Sequence, residues 1–263
     1  MLDPWRIDGA SVSKPPVTDV FAPEGMPRYL ESAWIGNRWR KVHFWQREQR
    51  LRLHIEAAGE WLIDLERLAV HKLSIAPVDP GLIAEIALGP GLILLLAQCD
   101  VFCLHAIGVL IADRACLFSG NSGQGKSTLA RADSWRRISD DITPVKVDQE
   151  GAWVLPHFPQ LKLAAQDQYL TADPSRWPLH ALYLLCPARG ERNGTIAAVL
   201  LQPAEAARAI IAHTVASRLF TPRVLANHLA HAARLARLVP VYRLRYPWGM
   251  GNLPAVRSAI STS

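Results

Sequence analysis

The sequence is short of the features that mark secreted, fibrous or disordered proteins. Only four of its 263 residues are cysteines, and none forms a Cys-x-x-Cys pair. No apolar run opens the chain, and no segment repeats. Half of the residues are apolar and 20% are charged, a balance typical of globular proteins. We therefore expect a cytoplasmic chain whose cysteines are buried free thiols.

Acidic residues are nearly missing from the last 60 positions. From residue 204 onward the only acid is Glu205, whereas eight arginines occur there: Arg208, Arg218, Arg223, Arg234, Arg237, Arg243, Arg245 and Arg257. A basic surface of this kind suits phosphates or acidic peptides, and it is equally compatible with a solvated face. Because no nucleic-acid-binding motif accompanies the charge, no nucleic-acid partner is predicted.

Residues 82–97 form the most apolar stretch of the chain. This stretch contains Glu85 and the helix-breaking sequence Gly89-Pro90-Gly91. We interpret residues 81–98 as one or two helices interrupted at the glycines. The apolar stretch falls short of a membrane span, so no membrane partner is expected.

The pattern of strands and turns predicts three segments. Proline and turn-forming residues dominate positions 1–30, which indicates an irregular arm. Leu51, Leu53 and Ile55 alternate with polar residues, which predicts a half-buried strand and then a hairpin at residues 57–59. Together with the helices, these elements predict a mostly β N-terminal α+β region over 31–98.

Residues 99–263 contain short apolar runs, which predict strands, together with helical patterns. Proline opens two predicted helices, at Pro203 and at Thr221-Pro222. The second of these helices should carry an apolar stripe formed by Leu225, Leu229, Ala232 and Leu235. Two strands, 181–185 and 196–201, are expected to be buried. The other expected strands are 102–104, 107–111, 115–118, 136–138, 145–147, 153–155 and 241–246.

A complete phosphate-binding loop follows the predicted strand 115–118. The loop consists of Gly120, Asn121, Ser122, Gly123, Gln124, Gly125, Lys126 and Ser127. Thr128, the next residue, is also expected to contact the nucleotide. Glycines allow the backbone N–H groups to approach phosphate oxygens, and the helix that begins near Lys126 adds its positive end. Lys126 supplies a charge to the β- and γ-phosphates, and the Ser127 hydroxyl is suited to Mg²⁺. The loop therefore predicts binding of ATP with Mg²⁺.

An acidic pair, Asp140-Asp141, ends the next short strand. Adjacent carboxylates at a strand end point to opposite faces unless the chain turns there. One carboxylate would then ligate Mg²⁺ while the other accepts a proton from an attacking hydroxyl. The alternative is an Asp pair that caps a turn before Thr143-Pro144. His105 precedes the two strands that lead into the loop, and is either a structural histidine or a proton shuttle beside the phosphates.

These motifs resemble the catalytic domain of HPr kinase/phosphorylase. The resemblance is carried by Leu104-His105-Ala106, the glycine loop and Ser139-Asp140-Asp141, with weaker similarity over 155–163 and 239–245. It implies that residues 99–263 form a P-loop catalytic domain with the largely mixed-sheet α/β core shared with phosphoenolpyruvate carboxykinase. Because HPr kinase relatives assemble into oligomers, a homo-oligomer is also expected. It also implies that His105 is an active-site histidine, Asp140 the acid/base, Asp141 a Mg²⁺ ligand with Ser127, and Lys126 the residue that stabilises the transferred phosphoryl group.

The long glycine-rich signature that follows the core in HPr kinases is absent, which points away from HPr as substrate and from a phosphorylase activity. The chain is more similar to the smaller HPr-kinase-like branch of peptide-modification clusters, including lasso peptide kinases. The resulting hypothesis is a serine or threonine kinase acting on a peptide, with Lys162, Arg243 and Arg245 as candidate substrate contacts. A nucleotide-binding regulatory or assembly protein and a small-molecule kinase are the alternatives.

Overall fold

The computed structural model describes residues 29–74, 78–131, 135–155, 176–188 and 194–261. The predicted arm over 1–30 lies almost entirely outside these ranges. The chain divides into two compact units, Met1–Leu95 and Leu96–Ser263. The divide lies between residues 95 and 96, whereas the predicted boundary followed residue 98.

The first unit contains a five-stranded antiparallel meander. Its strands pair in chain order: β1 (Tyr29–Ile35), β2 (Arg38–Arg47), β3 (Arg50–Ile55), β4 (Gly59–Asp64) and β5 (Ala69–Lys72). In β3, Leu51, Leu53 and Ile55 are buried and alternate with half-buried polar residues. The predicted alternating strand, and the hairpin that follows it, are therefore confirmed.

Two short helices follow, α1 (Pro80–Ile86) and α2 (Leu92–Gln98), joined by a π-type turn over Ala87–Gly91. Asp79 caps α1, because its Oδ1 accepts the N–H of Leu82 at 3.0 Å. At Gly89 the ψ angle is −106°, outside the helical range. The predicted interruption of the helix is therefore confirmed.

The helical segment Pro80–Gln98 agrees with the predicted range 81–98 to within one residue. An 18-residue window of this 19-residue segment has a mean hydropathy of 1.9, enough by length and composition to cross a membrane. The expectation that this stretch falls short of a span therefore does not hold by those two measures. A core helix of a soluble protein passes the same test, and the N–H of Gly36 donates to the Glu85 carboxylate on α1 at 3.0 Å.

The second unit is built on a nine-stranded mixed sheet among the described residues. Its strands are β6 (Val101–Leu104), β7 (Ala106–Ile111), β8 (Arg114–Ser119), β9 (Arg136–Ser139), β10 (Thr143–Val147), β11 (Ala152–Val154), β12 (Trp177–Ala188), β13 (Ala197–Leu200) and β14 (Val241–Pro247). The order is β6-β10-β11-β12-β8-β7-β9, and β14 joins β12 to β13. β8, β12 and β14 run parallel to one another.

Helices cover both faces of this sheet. The helices are α3 (Lys126–Ala130), α4 (Pro203–Ala212), α5 (Pro222–Leu238) and α6 (Leu253–Ser261). Residues of α4 and α5 pack with Leu117, Leu182 and Val241 on one face. Residues of α3 and α6 pack with Phe118 and Tyr183 on the other. The predicted α/β class is confirmed, and both predicted helix starts carry proline in the first turn.

The buried stripe of α5 differs from the predicted one. Leu225 and Leu229 are exposed, by 41% and 47%, whereas Ala232 and Leu235 are buried. The remaining buried positions are Val224, His228 and His231. These residues share a face at helical spacing, and both histidine rings lie against Phe102, with ring centroids 4.9 and 4.8 Å apart. The sequence pattern missed the stripe because two of its members are histidines.

Two further expectations need correction. β13 is not a buried strand: Val199 and Leu200 are 49% and 58% exposed, because this short strand pairs with β14 alone among the described strands. Cys99 is exposed, although Cys103 and Cys116 are buried. Burial raises the pKa of the Cys103 thiol and raises that of Cys116 to about 11.

The buried histidines of α5 make stability depend on pH. Burial lowers the pKa of both His228 and His231 to about 4, below their value in the unfolded chain. Since the unfolded state then binds more protons between pH 6.5 and 4, stability is complete above pH 6.5 and falls on acidification through that window. With about 1.4 kcal/mol per pKa unit, each histidine contributes a loss on the order of 3 kcal/mol near pH 4.

Urea unfolding between pH 4.5 and 7.5 measures this dependence. His228→Gln, which keeps a hydrogen-bonding amide near Thr214, should flatten the slope by about half. His180→Gln, at an exposed position of β12, should leave the slope unchanged. A wild-type stability that does not change over this range would contradict the assignment.

Candidate active site

Three strands bring the predicted site residues to one edge of the second sheet. β7 lies between β8 and β9 and is antiparallel to both, so β8 and β9 end at the edge where β7 begins. The glycine loop follows β8, Asp140 and Asp141 follow β9, and His105 immediately precedes β7. In open α/β sheets this carboxyl edge is where ligands bind.

The glycine loop has the backbone that its sequence requires. Gly123 and Gly125 adopt φ angles of 75° and 85°, which glycine adopts without steric cost. The N–H of Asn121 donates to Oε1 of Gln124 at 2.6 Å. A Cβ at Gly120 would lie 2.4 Å from that same oxygen. A side chain at position 120 would therefore displace the end of the flexible Gln124 side chain from its bond with Asn121.

Lys126 is held inside the loop. Its Nζ donates to the carbonyl oxygens of Gly120 and Asn121 at 2.7 and 3.3 Å, and only 8% of the residue is exposed. Burial lowers the pKa of Lys126, whereas the carboxylates of Asp141 and Asp140 raise it. The acidic pair therefore lies close enough to act on the ammonium group. An ammonium has three N–H donors, so two contacts leave one for a phosphate oxygen.

Tyr246, the penultimate residue of β14, supports the loop from another strand. Its hydroxyl donates to the Gln124 carbonyl at 2.7 Å, across 122 residues of chain. Burial raises the pKa of Tyr246 to about 12, so the phenol remains a donor at neutral pH. This contact fixes the loop to the sheet at a point that the loop sequence alone does not reveal.

The turn that carries the acidic pair is fixed to β7 by a chain of hydrogen bonds. The N–H of Gly108 donates to Oγ of Ser139 at 2.9 Å. Ser139 Oγ lies 2.5 Å from Oγ1 of Thr143, which donates to the carbonyl of Ala106 at 2.8 Å. Because Ser139 and Thr143 flank the pair, both ends of the turn are held to the same strand.

The two aspartates face different surroundings because the chain turns between them. Asp141 has a φ angle of 63°, and the N–H of Ile142 donates to the Asp140 carbonyl at 2.7 Å. The Asp140 side chain is 13% exposed and lies 3.3 Å from Nη1 of Arg137. Burial raises the pKa of Asp140, Arg137 lowers it, and Asp141 raises it again. Asp141 is 44% exposed.

His105 contacts Asp141 directly, with 3.1 Å between Nε2 and Oδ1. Its backbone is held on both sides: its N–H donates to the carbonyl of His213 at 2.8 Å, and its carbonyl accepts the hydroxyl of Ser119 at 3.0 Å. The histidine therefore connects the end of β8 with the aspartate turn.

The three predicted substrate contacts, Lys162, Arg243 and Arg245, do not join the loop, the aspartates and His105 in the described contacts. Lys162 lies outside the described residues. Arg243 forms an ion pair with Glu205 on α4, so its charge is already shared within the protein. Arg245 is exposed on the same strand. By strand alternation both arginines lie on the face of β14 opposite Tyr246.

Sequence reasoning missed three residues of this region. They are Arg137 beside Asp140, Tyr246 beneath the loop, and His213 against His105. Of these three residues, Arg137 could have been identified from the sequence, because it lies three residues before Asp140. The contacts of Tyr246 and His213 join positions more than 100 residues apart.

No cluster of three or more His, Cys, Asp or Glu side chains suited to a metal ion occurs in the described part of the chain. Mg²⁺ does not need one, because it is held by one or two protein oxygens together with phosphates and water. The exposed Ser127 hydroxyl and the half-exposed Asp141 carboxylate are oxygen ligands of the right kind. The residues present therefore fit a nucleotide-bound Mg²⁺.

Comparisons with known proteins add little to these contacts. No protein-family model matches the chain, and no curated protein matches it. Among solved structures, the chain is similar to the Hpr(Ser) kinase/phosphatase from Coxiella burnetii, with a TM-score of 0.32 and 11% identity over 61% of this chain and 94% of that one. Similarity at this level assigns no activity to the chain.

Removing the Lys126 ammonium should weaken nucleotide binding. A hydrogen bond to a charged group contributes about 1.5–3 kcal/mol, so Lys126→Met should raise the Kd for ATP roughly 10- to 100-fold. Isothermal titration calorimetry with Mg²⁺-ATP measures the change. Lys146→Met, at an exposed position of β10, is the matched control and should bind like the wild type. Equal affinity in all three proteins would contradict a phosphate-binding role for the loop.

Proposed function

We propose that this chain is an ATP- and Mg²⁺-dependent kinase that transfers the γ-phosphoryl group to a serine or threonine hydroxyl of a peptide or small protein. The observation that carries the proposal is the convergence of the glycine loop, His105 and the Asp140-Asp141 turn at one sheet edge. A loop alone would support nucleotide binding, whereas transfer also needs a group that accepts a proton.

The glycine loop and Lys126 are suited to hold the triphosphate. Backbone N–H groups of the loop would donate to phosphate oxygens, and Lys126 would add its remaining donor. Ser127 and Asp141 would hold Mg²⁺, which when bound neutralises negative charge on the phosphates. Thr128 follows in α3 and is half-buried.

Asp140 is suited to the role of general base. Its burial favours the protonated form, and Arg137 favours the carboxylate, so the two effects oppose each other at one side chain. In the proposed step the acceptor hydroxyl gives its proton to Asp140 as its oxygen bonds to the γ-phosphorus. The bond from that phosphorus to the bridging oxygen breaks, and ADP leaves.

His105 and Asp141 form the second half of the proposed site. Their contact of 3.1 Å orients the imidazole towards the turn that carries Asp140. Asp141 also lies close enough to Lys126 to raise its pKa. Lys126 would stabilise the negative charge of the transferring phosphoryl group, and the neighbouring carboxylates would serve Mg²⁺ and the proton.

The acceptor class follows from the sequence motifs. Resemblance to the kinase-like branch of peptide-modification clusters favours a precursor peptide, including one of the lasso type, over HPr. The arginine-rich last 60 residues suit an acidic or carboxylate-bearing end of such a peptide. Since Arg243 already pairs with Glu205, Arg245 is the better candidate for that contact. We place the reaction in the cytoplasm, with a homo-oligomer as the proposed assembly.

Two other functions use the same loop. A nucleotide-binding regulatory or assembly protein would bind ATP without transferring a phosphate. A small-molecule kinase would use Asp140 in the same way on another hydroxyl. The Asp140 variant distinguishes the regulatory or assembly protein from a kinase. The identity of the phosphorylated product distinguishes a small-molecule kinase from a peptide kinase.

Asp140→Asn should stop transfer and leave ATP binding within about threefold of the wild type. General base catalysis contributes about 10²- to 10⁴-fold, and the amide keeps the shape of the carboxylate without accepting the proton. Mass spectrometry measures the reaction, as a gain of one phosphate on a candidate precursor peptide that ends in Ser or Thr.

Asp113→Asn is the matched control for this variant. Asp113 is exposed in the turn between β7 and β8, at the opposite end of these strands, with a left-handed φ of 59° that Asn tolerates. If Asp140→Asn still forms product while Lys126→Met does not, Asp140 is not the base. If the wild type binds ATP and phosphorylates no peptide, the peptide kinase is excluded, and the regulatory protein and the small-molecule kinase are left.

A further inference from the structure

The segment that follows α4 pairs with the end of β6 beside the candidate site. The N–H of His105 donates to the carbonyl of His213, and the N–H of Val215 donates to the carbonyl of Cys103, both at 2.8 Å. These two bonds make Leu104 and Thr214 an antiparallel pair. His105 therefore lies opposite His213, one residue further along.

The backbone bond between His105 and His213 places the two residues side by side. His213 ends α4 with φ −99° and ψ 6°, and the neighbouring pair Leu104 and Thr214 is buried, at 1% and 7% exposure. His213 is half-buried, as is His105.

The surroundings of His213 link it to the phosphate-binding loop. Burial lowers the pKa of His213, and the charges of His105 and Lys126 lower it further. The imidazole therefore lies near both groups and is neutral at pH 7. A neutral imidazole offers one N–H donor without adding charge.

The segment is held firmly enough to position a side chain. Oγ1 of Thr214 donates to the Ile210 carbonyl at 2.9 Å and lies 2.8 Å from Nε2 of the buried His228. His213 also ends α4, where its N–H donates to the carbonyls of Ala209 and Ile210. Contacts on both sides of His213 therefore limit the movement of its backbone.

We propose that the His213 side chain is a γ-phosphate contact, donating a hydrogen bond to the terminal phosphate of the bound nucleotide opposite His105. This inference rests on the proposed function, because it requires a triphosphate in the loop. It assigns to the segment after α4 a role in telling ATP from ADP, which no motif of the sequence indicates.

Binding of two nucleotides tests this contact without a phosphoacceptor. The probes are ADP and the non-hydrolysable analogue AMPPNP, each with Mg²⁺, titrated calorimetrically against the full chain. His213→Phe keeps a planar ring without the N–H, and should weaken AMPPNP binding roughly tenfold while ADP binding stays within about twofold. Either His213→Gln or His213→Asn, whose amides reach the Nε2 and Nδ1 positions, should restore AMPPNP binding to within about threefold.

His180→Phe is the matched control, because His180 is exposed on β12 near the start of β8, at the far end of the sheet from the loop. Both nucleotides should bind to it as to the wild type. Thermal unfolding of each variant checks that it is folded, and His213→Ala replaces His213→Phe if the larger ring prevents folding.

Three results would overturn the proposal. If His213→Phe keeps the wild-type ratio of AMPPNP to ADP affinity, His213 makes no γ-phosphate contact while the proposed kinase stands. If both affinities fall equally, the residue supports the loop as a whole and does not contact the terminal phosphate. If the wild type binds neither nucleotide, the proposed function fails, and this contact fails with it.

Discussion

The placement of β7 between β8 and β9 is the constraint on which the candidate site depends. Because β7 is antiparallel to both neighbours, the segments that leave β8 and β9 emerge at the edge where β7 begins. The glycine loop, the aspartate turn and His105 lie at different points of the sequence, and this one arrangement brings them together. Any change that shifted the register of β7 would separate the loop from its carboxylates.

The hydrogen bonds around the aspartate turn explain how two adjacent carboxylates acquire different surroundings. Ser139 and Thr143 hold the turn to β7, and the left-handed backbone at Asp141 directs its side chain to His105 while Asp140 stays beside Arg137. A non-glycine residue in that conformation is uncommon and persists where surrounding contacts hold it. The turn is therefore a preorganised element, as electrostatic catalysis requires.

The features that could be predicted from the sequence are those set by residues close together in the chain. The glycine loop, the helix starts at proline and the hairpins are encoded by residues within a few positions of one another, and the structure contains them. Contacts between distant segments could not be predicted: His228 replaces an expected leucine in the core because Phe102 and Thr214 receive it, and Arg243 pairs with Glu205 instead of remaining available. The same limit hid Tyr246 and His213. The α/β class is confirmed, while the specific HPr-kinase-type fold and its substrate branch stay predictions.

Gly108 shows how a residue without chemistry can still limit what the chain tolerates. Its N–H reaches Ser139 at 2.9 Å, and a Cβ at this position would lie 2.7 Å from the same oxygen and 3.1 Å from Ile138. Even the smallest side chain would force the Ser139 hydroxyl out of its position against β7. Substitution of Gly108 would therefore disturb the aspartate turn, although glycine has no reactive side chain. Gly108 matters because it leaves space for Ser139, the residue that precedes the two aspartates.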